Sequence, residues 1–153
     1  INMDKVYVKT FGGFDLYYRG ELIYFSSSKA KELLAVLVDW RGKAVTLSHL
    51  ASILSEGERD EAAAKQAVHL AWHRLKQTLK KYGIEKIVIK GRGTYAINKE
   101  QIVCDSYDMV RQVEGASNYF AGEYMPEYSW AEVTLSYLLQ KFEEIKTRKI
   151  REA

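Results

Sequence analysis

The sequence predicts an α+β fold: a small N-terminal antiparallel sheet, a three-helix core and a C-terminal β-hairpin, followed by a short helical extension. Three observations support this prediction. Short alternating runs fill the first 25 residues, apolar residues recur at helical spacing between residues 28 and 82, and two strand-like runs flank a glycine-bounded tip at 91–93. Strands and helices have different sequence periods, so each segment can be assigned separately.

The first segment has the pattern of short strands. The runs KVYVKTF, FDLYY and ELIYF are rich in β-branched and aromatic residues, and Gly12-Gly13 and Arg19-Gly20 separate them. Such residues favour strands, whereas glycine favours the turns between them. We therefore expect three antiparallel strands before residue 26.

Three helices are predicted between residues 26 and 83, and the first two are preceded by residues that can cap their start. The serines at 26–28 precede the first helix, Thr46 precedes the second, and the third starts near Asp60 and stops before Gly83. Apolar side chains at helical spacing are expected to face the core. They are Ala30, Leu33, Leu34, Leu37 and Val38 in the first helix, Leu47, Leu50, Ala51 and Leu54 in the second, and Val68, Trp72, Leu75 and Leu79 in the third.

The hairpin and the extension follow. KIVIK and TYAIN flank Gly91-Arg92-Gly93 and predict a β-hairpin over 86–98. Beyond it, CDSYDMVRQVEG predicts a short helix capped by Asp105. A capping box of Ser129 and Glu132 then begins a long helix. Its apolar stripe comprises Leu135, Leu138, Leu139, Phe142 and Ile145. We therefore expect one domain over 1–101 and a helical extension over 102–153.

Charge is distributed unevenly along the chain, whose formal net charge is +3. Residues 1–101 hold 17 Lys/Arg against 11 Asp/Glu, whereas residues 102–153 hold 6 against 9. In the third helix, no carboxylate lies between Glu61 and Glu85. A basic part joined to an acidic part predicts an anionic partner for the first part only.

Several classes of protein are not expected. A single cysteine, Cys104, excludes an intramolecular disulfide framework, and the sequence has neither a membrane-spanning apolar run nor a signal-peptide pattern. We expect a cytoplasmic protein without membrane association. The chain opens on Ile1 without an initiator Met, which predicts that it is a fragment of a longer protein.

No catalytic, nucleotide or metal site is predicted. No nucleophile, base and oxyanion hole assemble in the sequence, and KGRGTY lacks the order of a phosphate-binding P-loop. His69 and His73 have the spacing of zinc ligands on a helix, but Leu70 stands where H-E-x-x-H requires glutamate. We therefore expect no enzyme activity and no cofactor.

The third helix is expected over residues 61–82. The side chains on its outer face indicate a contact with DNA. A helix fits the major groove, where amide and basic side chains contact base edges and phosphates. A three-helix core followed by a Gly-Arg-Gly hairpin is the winged-helix arrangement, in which a wing can enter the minor groove. The predicted contacts are Lys65, Gln66, His69, Leu70, His73, Arg74, Lys76, Gln77 and Lys80, with Arg92 on the wing.

Two alternatives remain open at this stage. A run of positive charge on a helix is often only a solvated face, and the helix dipole alone favours Lys80 and Lys81 near the C-terminus. The chain could also be a protein-protein interaction module that uses its C-terminal helices, with a winged helix that does not bind DNA. An interaction surface is expected to be more apolar and aromatic at its centre than this basic, amide-rich face.

The segment FGGFDLYYRGELIYFSSSKAKELLAVLVDWRGKAVTLSHL resembles the OmpR/PhoB-type winged helix, in the form found in SARP-type activators and related response regulators. QAVHLAWHRLKQTL resembles the recognition helix of that family at Val68, Arg74, Leu75 and Leu79. The resemblance covers residues 5–98. It implies DNA contacts at Gln66, His69, Leu70, His73, Arg74 and Lys76, together with Lys90 and Arg92 on the wing. Gln66 stands where the family often has Arg, and Ala71 where it often has His. The operator sequence of a relative therefore cannot be assigned to this protein.

The extension resembles the opening of the helical activation domain of SARP-type proteins. The segments that carry this resemblance are CDSYDMVRQVE and YFAGEYMPEYSWAEVTLSYLLQKFEEI. This resemblance implies a surface for RNA polymerase or for a second subunit. It also implies a two-component system, with a phosphoacceptor receiver domain before Ile1.

Overall fold

The computed structural model describes residues 3–153 and divides into two compact units. The first unit contains the segment that ends at Val6 together with Tyr18–Ile102, and the second contains Tyr7–Tyr17 together with Val103–Ala153. The predicted division at residue 101 differs from this one, because Tyr7–Tyr17 groups with the C-terminal part of the chain.

Residues 3–153 form seven strands and five α-helices. In chain order they are β1 (Val6–Lys9), β2 (Asp15–Tyr18), β3 (Glu21–Leu22), α1 (Ser28–Asp39), β4 (Val45–Thr46), α2 (Leu47–Leu54), α3 (Glu61–Lys81), β5 (Val88–Lys90), β6 (Thr94–Ile97), β7 (Ile102–Cys104), α4 (Asp105–Val110) and α5 (Glu132–Glu152). The strands form two sheets, with the orders β3-β2-β1-β7 and β4-β6-β5. The predicted strands and helices are present, whereas β4 and β7 were not predicted.

Side chains at the predicted positions cap α1 and α2, and Asp60, near which the third helix was expected to start, caps α3. Ser27 Oγ accepts a hydrogen bond from the amide of Ala30 at 3.1 Å, and Thr46 Oγ1 accepts one from the amide of His49 at 3.1 Å. Asp60 Oδ1 accepts one from the amide of Ala62 at 3.0 Å. Because these groups satisfy amides that have no partner within the helix, they determine where each helix begins.

The core of the first unit is built around α1, which contacts α2, α3 and β6. All five residues predicted for its buried stripe are buried, and Ala35 and Val36 are buried as well. In α2, Leu50, Ala51 and Leu54 are buried and Leu47 is half-buried. At about 25 cal/mol per Å² of apolar surface, this burial is the main stabilising contribution in the unit.

A glycine ends α3 and directs the chain into the hairpin. Gly83 has a φ of +70°, its amide donates to the carbonyl of Lys80, and the amide of Ile84 donates to the carbonyl of Leu79 at 2.9 Å. This pair of bonds is the Schellman motif, in which a left-handed residue satisfies the last carbonyls of a helix. Ile84 is fully buried, so the exit of the chain is held by packing as well as by hydrogen bonds.

In the second unit, Asp105 connects the N-terminal segment to α4. Its carboxylate accepts hydrogen bonds from the amide of Thr10 at 2.9 and 3.0 Å, from the amide of Phe11 at 3.0 Å and from the amide of Ser106 at 2.8 Å. The prediction that Asp105 caps α4 was wrong, since Asp105 is the first helical residue and Cys104 holds the N-cap position. The carboxylate bonds mainly to a distant segment, which no local pattern indicates.

Further contacts explain why Tyr7–Tyr17 belongs to the second unit. Phe11 forms an antiparallel bridge with Tyr124, and its ring centroid lies 4.9 Å from that of Phe120. The amide of Phe14 donates to Glu127 Oε2 at 2.9 Å. These contacts join residues about 100 positions apart, so local periodicity cannot predict them.

The start of α5 also differs from the prediction. Residues 129–131 form a short 3₁₀ turn, and Ala131 holds the N-cap position without a side-chain hydrogen bond, so the predicted capping box of Ser129 and Glu132 is absent. Along the predicted stripe, Leu138 and Ile145 are buried, but Leu139 is 42% exposed. Within residues 3–153, no helix combines the length and the apolar character needed to cross a membrane.

Cys104 is a buried free thiol in the second unit. Burial, with a smaller contribution from the charge of Asp105, raises the pKa of Cys104 to about 12. A thiol with so high a pKa is almost entirely protonated at neutral pH and is a poor nucleophile. Cys104 therefore behaves as a small apolar core residue.

Substituting Asp105 tests its structural role. We expect Asp105→Ala to lower the free energy of unfolding by about 2–4 kcal/mol, because the amides of Thr10 and Phe11 lose a charged acceptor. Asp108→Ala is the matched control on the same helix, since the half-buried Asp108 carboxylate pairs with the exposed Arg111 and its loss should cost less, about 1 kcal/mol. The measurement is urea unfolding followed by circular dichroism; equal effects of the two substitutions would contradict the assignment.

Candidate nucleic-acid interface

The α3 helix has one buried face and one exposed face. Its buried residues are Ala64, Val68, Ala71, Leu75 and Leu79, and the helix contacts α1 and α2. Trp72 was predicted to be a full core residue, but it is only half-buried, and Ala71 is buried in addition. With the buried face fixed, the opposite side of the helix is presented to solvent.

Almost all the residues predicted to contact DNA on α3 lie on its exposed surface. Lys65 is the exception, because it is half-buried and its ammonium lies 3.0 Å from the Glu61 carboxylate. Leu70 is 49% exposed and is the one large apolar side chain on this face. The exposed set is Gln66, His69, Leu70, His73, Arg74, Lys76, Gln77 and Lys80.

The cations of this face are not neutralised by the protein itself. Among the described residues, Arg74, Lys76 and Lys80 have no ion-pair partner. The α5 helix shows the contrast, because Lys141 pairs with Glu144 and Lys146 pairs with Glu143, each at 3.5 Å. Exposed like charges repel one another, so the α3 face favours association with an anion.

The predicted hairpin is formed by β5 and β6, with Ile89 opposite Ala96 and Lys90 opposite Tyr95. Arg92 is exposed at its tip. A Cβ at position 91 would lie 2.5 Å from Thr94 Oγ1, so any larger residue there would force the Thr94 side chain to move. The strand β6 also pairs with β4, and the amide of Leu47 donates to the carbonyl of Gly93 at 3.0 Å. The tip is therefore fixed to the start of α2.

Lys90 is directed towards the hairpin itself. Its ammonium lies 4.6 Å from the centroid of the Tyr95 ring and donates a hydrogen bond to the carbonyl of Gly91 at 2.5 Å. A cation over an aromatic face contributes about 0.5–1 kcal/mol at an exposed site. The structure thus gives Lys90 a local role, and its direct contact with DNA stays a prediction.

An aromatic contact joins α3 to the hairpin. The ring centroids of Trp72 and Tyr95 lie 5.6 Å apart at an interplanar angle of 67°, an edge-to-face arrangement. Tyr95 is 1% exposed, and burial raises the pKa of its hydroxyl. The contact between Trp72 and Tyr95 could not be predicted from the sequence, because it depends on strand register and on tertiary packing.

The chain resembles Mycobacterium tuberculosis EmbR, whose structure was solved in complex with a low-affinity phosphopeptide. The TM-score is 0.74 at 16% sequence identity, and the match covers 94% of this chain and 44% of EmbR. This chain therefore spans less than half the length of EmbR, and the likeness shows the fold alone. Neither a protein-family model nor a curated protein matches the chain.

His69 and His73 have the spacing of two metal ligands, but the described residues supply no third ligand beside them. Within residues 3–153, the structure contains no group of three or more His, Cys, Asp or Glu side chains placed to hold a metal ion. Both histidines are exposed on the same surface as Gln66 and Arg74. At this surface they supply ring nitrogens that can donate or accept hydrogen bonds.

Replacing Trp72 tests the aromatic contact. We expect Trp72→Ala to lower the free energy of unfolding by about 2–3 kcal/mol, less than the 3–5 kcal/mol typical of a fully buried aromatic residue, because Trp72 is half-buried. Leu70→Ala, on the exposed face of the same helix, should change it by less than about 0.5 kcal/mol. Denaturant unfolding of both variants measures the difference. Equal stabilities would mean that the Trp72–Tyr95 contact is not a source of stability.

Proposed function

We propose that this chain is a sequence-specific DNA-binding transcription regulator with a winged-helix arrangement. In this proposal α3 lies in the major groove and the hairpin contacts the adjacent minor groove. The observation that carries the proposal is the exposed face of α3, where amide and basic side chains lie on a helix whose one acidic residue is Glu61. Such side chains match the acceptors and phosphates of a duplex.

Phosphate contacts supply most of the affinity in this proposal. Arg74, Lys76 and Lys80 lie on the exposed face without ion-pair partners in the described part of the chain. When such cations approach a duplex, condensed counterions are released, so binding should weaken steeply as salt rises. Arg92, at the hairpin tip, is the type of residue that enters a narrow minor groove.

Base contacts supply the sequence preference. Gln66 and His73 lie on the exposed face of α3, where their side chains can bond to base edges, and Leu70 can contact a thymine methyl group. One module covers a short site, so tandem or dimeric binding on repeated half-sites is expected.

The wider role rests on resemblance. The sequence is similar to SARP-type activators and related response regulators, so we propose that this chain is the effector part of a two-component response regulator. The helical extension then contacts RNA polymerase or a second subunit. The fold likeness to EmbR agrees with the α+β arrangement that this resemblance implies.

The second candidate function is a protein-protein interaction module. It is favoured by exposed apolar side chains on α5, where Val133 is 81% exposed and Leu139 is 42% exposed. The α3 face argues against it as the main function, because its centre holds a single exposed apolar residue, Leu70, among amide and basic groups.

The first prediction for this proposal concerns affinity. Fluorescence anisotropy with a labelled random-sequence duplex should show binding that falls steeply between two salt concentrations, and the Arg74→Ala/Arg92→Ala variant should lose it. The matched control is Arg148→Ala/Arg151→Ala, which removes the same charge from α5. Absence of wild-type binding at low salt would favour the interaction module, and equal loss in the control would show only an effect of net charge.

The second prediction separates base contacts from backbone contacts. Once a preferred site has been selected, Gln66→Ala and His73→Ala should each reduce discrimination against a mismatched duplex by about 1–3 kcal/mol. Arg92→Ala should instead weaken binding to both duplexes and flatten the salt dependence. Competition titrations with the two duplexes provide the measurement. The same response from all three variants would mean that α3 is not placed as proposed.

A further inference from the structure

A polar cleft lies where the last two turns of α3 meet the residues that precede α1. Its volume is about 540 Å³, and no carboxylate lines it. Four of its residues, Ser26, Ser27, Thr78 and Lys81, are outside the set predicted to contact DNA. The lining consists of Ser26, Ser27, Arg74, Gln77, Thr78 and Lys81.

The cleft presents hydrogen-bond donors with positive charge. Arg74 and Lys81 are seven residues apart, so they lie two turns apart on one side of α3, about 10 Å along its axis. Neither has an ion-pair partner among residues 3–153. Gln77 lies between them in sequence and adds an amide donor.

The hydroxyl groups differ in what they can still donate. Thr78 Oγ1 already donates to the carbonyl of Arg74 at 3.2 Å. Ser27 Oγ accepts from the amide of Ala30, so its hydroxyl hydrogen is still available for an acceptor in the cleft. Two cations, an amide and a serine hydroxyl, in a lining without a carboxylate, are complementary to an anion with several acceptor oxygens.

We propose that this cleft binds a phosphate of the DNA backbone that borders the major groove at the C-terminal end of α3. The inference rests on the proposed function and extends it. At 100° per residue, Arg74 and Lys81 fall at one edge of the sector that contains Gln66, Leu70 and His73. A helix lying in the groove with that sector towards the bases therefore turns this edge towards a bordering strand.

The occupant is a backbone phosphate in preference to a small free anion, because the cleft is open and both of its cations are exposed. Open sites on flexible side chains hold a small anion weakly. A phosphate that belongs to a duplex is held by every other contact at the same time, so a modest site is sufficient.

The test compares Lys81→Gln with Lys146→Gln, which removes one charge from α5, by anisotropy across a series of salt concentrations. We expect Lys81→Gln to reduce the slope of log K against log salt by about one, and to weaken binding to preferred and random duplexes by the same factor. Ser27→Gly, which keeps a residue acceptable at a helix N-cap, should weaken binding to both duplexes by a smaller common factor. Circular dichroism of each variant checks that the helices are retained.

Three outcomes would overturn the inference. If Lys81→Gln matches Lys146→Gln while Arg92→Ala still weakens binding, the cleft holds no phosphate although the proposed function stands. If inorganic phosphate shifts the amide resonances of Ser26–Ser28 saturably while Lys81→Gln leaves DNA binding unchanged, the site belongs to a small anion. If the wild-type chain binds no duplex at all, the proposed function and this inference fail together.

Discussion

The buried face of α3 is the constraint on which the candidate interface depends. Five residues from Ala64 to Leu79 are buried, and they fix the rotation of the helix about its axis. If the helix were rotated about its axis by one residue, or about 100°, lysine side chains would face the core. Burying an unpaired ammonium costs several kcal/mol, so the alternative rotation is excluded and the basic face stays outward.

Local signals explain how much of the fold could be predicted. Ser27, Thr46 and Asp60 accept hydrogen bonds from amides two or three residues away, so the local sequence indicates where these helices begin. Asp105 has the same chemistry but bonds across 95 residues to Thr10, which periodicity cannot indicate. The short strands β4 and β7 were missed for a similar reason, because two or three residues are too few to show alternation.

The candidate interface was predictable to the extent that it follows helical spacing. The exposed residues from Gln66 to Lys80 share a face because the helix is long and regular. The direction of Lys90 was not predictable, since it depends on the pairing of Lys90 with Tyr95 across the hairpin. The cleft at Lys81 escaped notice because Ser26 and Ser27 are distant in sequence from α3.

The bond between the amide of Leu47 and the carbonyl of Gly93 has a thermodynamic consequence. A hairpin tip that swung freely would lose backbone entropy on meeting a partner, and that loss would reduce affinity. Here the tip is attached to a helix and closed by the hydrogen bond from Lys90 to Gly91 before any encounter. In the proposed DNA complex, the backbone of the tip would therefore lose little entropy, and the affinity would benefit from this preorganisation.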